Sequence, residues 1–274
     1  MIELPECYVI SNQMKEILPG KTVSLIVAGK SPHKFAFFYG DPQNYPSLLN
    51  GKTITEINPI AGYIEISLEN EILLLGEGVN IRYLKKEEKR PEKHQLLVEF
   101  EDKTALVCSI QMYGGMWAYP KGENDNPYYT IAVEKPSPLS NEFDETYFNQ
   151  LIIDSKPTLN LKSFLATEQR IPGLGNGVLQ DILYNSKLHP KRKLNSLSNE
   201  EKKVLFKSIK ETLQKMADDG GRDVEKDIYG NFGGYKTLLS NKTVGTPCKI
   251  CGAEIQKETM MGGTVYICPG CQKL

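Results

Sequence analysis

Four cysteines near the end of the chain have the spacing of a metal site: Cys248 and Cys251 in Cys-Lys-Ile-Cys, then Cys268 and Cys271 in Cys-Pro-Gly-Cys, with 16 residues between the pairs. Each Cys-x-x-Cys turn aims two thiolates at one point, so two turns complete a closed tetrahedron suited to a structural zinc rather than to catalysis. Binding of that kind is worth ~10–16 kcal/mol, enough to order residues 241–274, too short a segment to bury a core unaided. Two disulfides are the competing reading; Cys7 and Cys108 stand isolated and no secretory signal opens the chain, which favours reduced thiols. A second candidate is the turn Pro172-Gly-Leu-Gly-Asn176. Glycines such as Gly175 let backbone N–H groups point outward together at a helix start, and Asn176 adds a side-chain donor, an arrangement that suits phosphate. The simpler reading of the same turn is an ordinary helix start capped by Asn176.

The composition narrows the class. The chain has 274 residues, 24% charged and 40% hydrophobic, and no apolar run of membrane length. A soluble cytoplasmic protein of two domains plus a metal module is expected. The net charge of −1 averages over an uneven distribution. Residues 183–215 hold nine Lys or Arg against three Glu, the module 241–274 is +2, and the remainder is therefore −9. A basic C-terminal half fits a polyanion partner; a lysine-rich solvated helix face explains the 183–215 excess equally well.

The elements that must position these groups are legible in part. Glu3 to Leu18 predicts a helix, with Pro5 in the first turn and Val9, Ile10, Met14, Ile17 and Leu18 on one face. From Thr22 to about Val133 the pattern predicts short strands at Val23–Val27, Tyr63–Leu68, Ile72–Leu75, Leu96–Phe100 and Ala105–Ser109, hence a β-sandwich or barrel. Residues 135–144 read as a linker from their Pro and Ser content. Helices follow at about 160–165, 177–187 and from Ser198, where Ser198-Asn-Glu-Glu201 forms a capping box ahead of a stripe at Val204, Leu205, Ile209, Leu213 and Met216. The fold class expected is α+β multidomain, with units at 1–134, 135–240 and 241–274.

The ordered set of motifs resembles the formamidopyrimidine-DNA glycosylase/endonuclease VIII family along the whole chain. Its parts are the start Met1-Ile-Glu-Leu-Pro-Glu6, the stretch Gly173-Leu-Gly-Asn-Gly-Val-Leu-Gln-Asp-Ile-Leu-Tyr184 with His189-Pro190, the pairs Gly220-Gly221 and Gly234-Tyr235, and the ending Cys268-Pro-Gly-Cys-Gln272. The resemblance implies a leading helix on an N-terminal β-sandwich, a helix–two-turn–helix domain and a C-terminal zinc finger, with damaged or abasic DNA held between them by a monomer. Such enzymes flip the damaged base out of the stack. An N-terminal proline amine attacks the sugar and the next glutamate manages protons. On this chain the resemblance implies Glu3 and Glu6 as site carboxylates, Gly175 and Asn176 at the phosphate, and Tyr113, beside Met112, as the wedge replacing the flipped base.

Three positions depart from the pattern. Ile2 stands where the nucleophilic proline belongs, Gly62 where a strand lysine belongs and Gly263 where the zinc-hairpin arginine belongs. If Met1 is retained, its amine is displaced by one Cα step, ~3.8 Å; alternatively Glu3 activates water without a lyase step. The readings that follow are a glycosylase, with or without abasic-site lyase activity and with an altered nucleophile; a non-catalytic binder of damaged or structured nucleic acid; and an RNA- or ribosome-associated module. The specificity loop would lie between about 215 and 240, where Arg222 to Asp227 shows no decodable pattern.

Overall fold

Helix α1 (Leu4–Ile17) belongs to two cores at once. Cys7, Ile10, Met14 and, just beyond the helix, Leu18 pack into a β-sandwich, whereas Leu4 packs into a helical core. Val9 and Ile17, expected on the apolar face, are only half-buried, because the helix turns them to the rim. The computed structural model describes residues 2–76 and 78–274. Met1 lies outside the described residues.

The sandwich is built from β1 (Val23–Ala28), β2 (Ala36–Phe37), β3 (Ile54–Ile60), β4 (Tyr63–Leu68), β5 (Glu71–Leu75), β6 (Val79–Leu84), β7 (Leu96–Phe100), β8 (Ala105–Ile110) and β9 (Gly114–Pro120), with the short α2 (Tyr45–Leu49) between β2 and β3. One sheet runs β1-β7-β8-β6 and the other β2-β9-β5-β4-β3. All pairings within them are antiparallel except the β2–β9 contact. Period-two alternation sorts the second sheet: Ile64, Ile66, Leu73, Leu75, Met116 and Ala118 face the shared core. Tyr63, Ile72, Leu74, Trp117 and Tyr119 face the other way.

That outer face is partly covered by α3 (Pro127–Glu134), which supplies Tyr129 and Ala132. A helix here corrects the expectation of strands up to Val133. Tyr-Tyr-Thr-Ile-Ala-Val is β-prone in isolation, but Asn126 accepts a bond from the N–H of Tyr128 and Pro127 pre-sets the first turn, so the cap and the sheet beneath prevail. The expected linker at 135–144 has a buried anchor: Phe143 packs against Tyr147, Phe148 and Phe206.

The helical part comprises α4 (Glu145–Ile153), α5 (Leu161–Ala166), α6 (Val178–Asn185) and α7 (Asn199–Asp218). The capping box of Ser198 and Glu201 starts α7. Leu205, Ile209, Leu213 and Met216 are fully buried, but Val204 is 40% exposed, because the helix buries Ser208 and Thr212 on the flank of the stripe instead. The chain ends in a hairpin of β10 (Gln256–Met260) and β11 (Gly263–Ile267), turned by Met261 and Gly262, both with positive φ. Among the described residues no helix is long and apolar enough to cross a membrane.

Candidate nucleic-acid interface

The Gly-x-Gly-Asn turn explains why sheet and helices meet as closely as they do. Gly173 has φ +75°, and a Cβ on it would stand 2.7 Å from the backbone of Ala61 and 2.8 Å from the N of Gly62. The β3–β4 turn therefore rests directly on Gly173, whose carbonyl also accepts the N–H of Leu4 at 2.9 Å. A Cβ on Gly175 would lie 2.6 Å from the Glu3 carboxylate, and one on Gly177 1.9 Å from Arg222 Nη1. Each glycine removes a side chain where another group must pass.

Beneath the turn lies a buried charge cluster. The N–H groups of Gly177 and Val178 donate to Glu3 Oε1 and Oε2 at 2.8 and 2.7 Å, so this carboxylate sits on the N-terminus of α6. Arg222 donates from Nε and Nη2 to the two oxygens of Glu6 at 2.8 and 2.7 Å, and its Nη1 stands 3.6 Å from Glu3. Glu6 also accepts the backbone N–H of Glu3 at 3.2 Å. All three side chains are 3–7% exposed. Desolvation pushes both carboxyls up. At Glu6 the paired guanidinium outweighs it and holds the pKa below the ordinary value; at Glu3, where Arg222 stands off and Glu6 repels, burial prevails and the pKa is raised. Ile2 is buried in the sandwich core, where it is 5% exposed, so the residue in place of the proline serves packing.

Arg222 was not recoverable from sequence. The usable signal was indirect: Glu3 and Glu6, three apart at the start of one helix, share a face, and two buried carboxylates require a cation.

Above this cluster a cleft of about 980 Å³ opens between the sheet, α3, α5, the glycine turn and the hairpin tip. Gly175, Asn176 and Tyr113 line it; Met112, 65% exposed, stands beside Tyr113 without lining it, and neither do Glu3 or Glu6. Asn176 Nδ2 donates to Thr264 O at 2.9 Å, tying the turn to the hairpin. Lys162, on α5, is the second residue missed. Its Nζ donates to Met260 O and stands 3.2 Å from where a Cβ of Gly263 would be. A cation from α5 thus occupies the neighbourhood of the arginine expected at Gly263, beside Asn176. Desolvation lowers its pKa.

The nine basic residues of 183–215 line none of the cleft. Several pair at the surface instead: Lys191 with Glu258, Arg192 with Glu201, Lys207 with Glu211 and Lys215 with Asp219. The solvated-face reading of that stretch is the one the geometry favours.

The four late cysteines converge. Their Sγ atoms all lie within 4.8 Å of one another, with Cys248–Cys271 at 3.7 Å and Cys251–Cys268 at 3.3 Å. Four thiolates bound at ~2.3 Å around a tetrahedral ion stand roughly 3.8 Å apart, so the cluster could bind a metal ion. The separations are too long for disulfides.

Known proteins place these features in context. The family model for the formamidopyrimidine-DNA glycosylase H2TH domain matches residues 135–226. The formamidopyrimidine-DNA glycosylase of Cytobacillus firmus is 27% identical over 99% of this chain and 100% of its own length. That of Brevibacillus brevis is 28% identical over 100% and 99%. Among solved structures, the Lactococcus lactis Fpg in complex with abasic-site DNA superposes with a TM-score of 0.84 at 25% identity, covering 99% of this chain and 100% of that one.

Proposed function

We propose that the chain, similar along its whole length to formamidopyrimidine-DNA glycosylases, is a member of that family and a DNA-repair-type protein that binds damaged or abasic DNA in the cleft, with Glu3 as the proton-transferring group of a glycosylase. The observation that carries the binding is convergence: Gly175 and Asn176 from the turn, Lys162 from α5 and the hairpin tip at Gly262 and Gly263 all border one cleft facing the sheet. Units 1–134, 135–240 and 241–274 form its walls, and the protein acts as a cytoplasmic monomer. Asn176 and Lys162 contact the sugar–phosphate strand, and Tyr113, with Met112 beside it, meets the bases. One Zn²⁺ held by Cys248, Cys251, Cys268 and Cys271 fixes the hairpin; four soft thiolates at tetrahedral spacing suit that ion.

Glu3 fits proton transfer because burial raises its pKa above the ordinary carboxyl value and it stands at the start of α6 beside the glycine turn. Glu6, locked to Arg222, holds the charge balance around it. The altered nucleophile is the Met1 amine or a water activated by Glu3. A second reading, non-catalytic binding of damaged or structured nucleic acid, is favoured by one observation: both oxygens of Glu3 are engaged by backbone donors and Glu3 does not line the cleft.

Borohydride trapping on an oligonucleotide with a single abasic site separates these. A covalent band lost when the amine of Met1 is blocked supports the lyase. Turnover of a damaged base that Glu3→Gln abolishes, without a band, supports the water route. Tight abasic-site binding with neither leaves the binder, and no binding to any DNA refutes the proposal. Metal analysis of purified protein is expected to return one zinc per chain.

A further inference from the structure

The lining of the cleft is wrong for a site that grips DNA mainly by charge. Among the described residues lining it, Lys162 and Glu168 are the charged ones, and their charges cancel. Six are aromatic: Phe37, Phe38, Tyr63, Tyr113, Trp117 and Tyr128. Phe37 and Tyr128 are about half exposed, at 49% and 54%, on β2 and in the first turn of α3. Phe38 packs against the sandwich core and Tyr63 is buried in the outer cluster under α3, so Phe37, Tyr113, Tyr128 and the half-buried Trp117 are the rings that present surface. Tyr63 and Trp117 lie on the sheet face opposite the sandwich core, with centroids 6.0 Å apart and planes at 51°.

The sheet is adapted to this ring. Three indole carbons of Trp117 come within 2.4 Å of where a Cβ of Gly115 would stand, and one within 2.6 Å of where a Cβ of Gly76 would stand. The two glycines, on neighbouring chain segments, let the indole settle on bare backbone, and it remains only half-buried and borders the cleft. The two positions where the family resemblance expected phosphate-binding cations are Gly62 and Gly263. Charge has been withdrawn from the cleft while aromatic surface is presented to it.

We infer that the substrate class is nucleic acid carrying at least two unpaired nucleotides next to the lesion or gap, held by stacking of bases on the cleft rings, with Lys162 and Asn176 supplying a single phosphate contact. Every base has a π-face, so stacking tolerates sequence, and it does not depend on counterion release. A duplex whose one unpaired base faces the lesion can meet Tyr113 but leaves the other rings nothing to stack on. The inference rests on the proposal that the cleft takes nucleic acid, and it names the form taken.

The test uses the full chain and three labelled oligonucleotides: a paired duplex with one tetrahydrofuran abasic analogue, the same duplex with two unpaired nucleotides beside the analogue, and the analogue-bearing single strand. Fluorescence anisotropy is followed across a salt series. Trp117 is the only tryptophan in the chain, so intrinsic emission reports stacking in the cleft directly. The two probes with unpaired bases are expected to bind at least about tenfold more tightly than the paired duplex and to quench Trp117, with a log–log salt slope no steeper than about −2, against roughly −5 for a protein making six phosphate contacts. Phe37→Ala and Tyr128→Ala, both at exposed positions that leave the fold intact, should each weaken that binding about fivefold to a hundredfold and leave the paired duplex unaffected. Equal affinity for all three probes with unchanged Trp117 emission overturns the inference while the proposed function stands. Absence of binding to every probe overturns both.

Discussion

Replacing Arg222 by methionine tests the charge cluster under the cleft most directly. The guanidinium is 3% exposed and makes two charge-assisted bonds to Glu6 at 2.8 and 2.7 Å. Each such bond contributes ~1.5–3 kcal/mol. Measured losses on breaking a buried ion pair fall at ~3–5 kcal/mol, because the abandoned charge stays in a dry environment. Methionine keeps most of the volume, so packing loss is small. Arg222→Met is therefore expected to lower unfolding free energy by about 3–5 kcal/mol at pH 7.5, read from urea denaturation by circular dichroism.

The loss should also depend on pH, with a definite sign. In the native protein the pKa of Glu6 is lowered, so its contribution is present above the unfolded value, ~4.3, and lost as pH falls through the folded one. In the variant, burial without the cation raises that pKa, so stability is retained below ~4.3 and lost as pH rises through the new value. Between pH 7.5 and 5 only the variant's raised pKa acts, and it makes the penalty at pH 5 smaller than that at pH 7.5; the native contribution begins to fall only below ~4.3. Adding Glu6→Gln to Arg222→Met should restore at least half of the loss, since no carboxylate is then stranded at that position. A deficit below about 1 kcal/mol at pH 7.5, or one unchanged between pH 5 and 7.5, would refute the assignment of Arg222 as the counter-charge.

Gly177→Ala should destabilise the protein by about 1–3 kcal/mol and lower thermal stability by several degrees, because its Cβ would meet Arg222 Nη1 and Glu3 Oε1; a neutral result in calorimetry would mean the cluster yields easily. The carboxyl of Asp181 accepts the N–H groups of Leu238 and Leu239, and burial pushes its pKa up to about 6. Its stabilising effect is full below ~3.9 and declines as pH rises through about 6, so Asp181→Asn should flatten the melting-temperature profile between pH 4 and 7. Lys162→Met should weaken binding to all DNA probes alike and reduce the salt slope by about one; an unchanged slope would show that Nζ serves only the hairpin carbonyl of Met260.

Local chemistry made some parts of this molecule readable. The four cysteines, the Ser198 capping box and strands such as β4 and β7 carry their instructions within a few residues. What stayed hidden depends on partners distant in sequence. Strand β3 is Ile-Thr-Glu-Ile-Asn-Pro-Ile, too polar and too interrupted to declare itself, and it is a strand because β4 pairs with it. In β9 the glycines 114 and 115 hide a strand, yet Gly115 is what a close-lying indole requires and Gly114 is what the close approach of Gly78 and Val79 requires. Helix α3 depends on the sheet below it. Arg222 and Lys162 each answer a group that the fold brings from far along the chain, Glu6 in one case and the Gly263 turn in the other.

Where Ala61 and Gly62 rest on Gly173, main chain meets main chain, with no side chain to act as a spacer. A bearing of that kind has almost no compliance. Sheet and helices cannot come closer by repacking rotamers, so the gap above them has a fixed lower limit to its width. If the proposed function holds, the adjustment needed to enter a gap that cannot narrow falls on the bound strand, and lesions that already soften the double helix would be admitted at least cost.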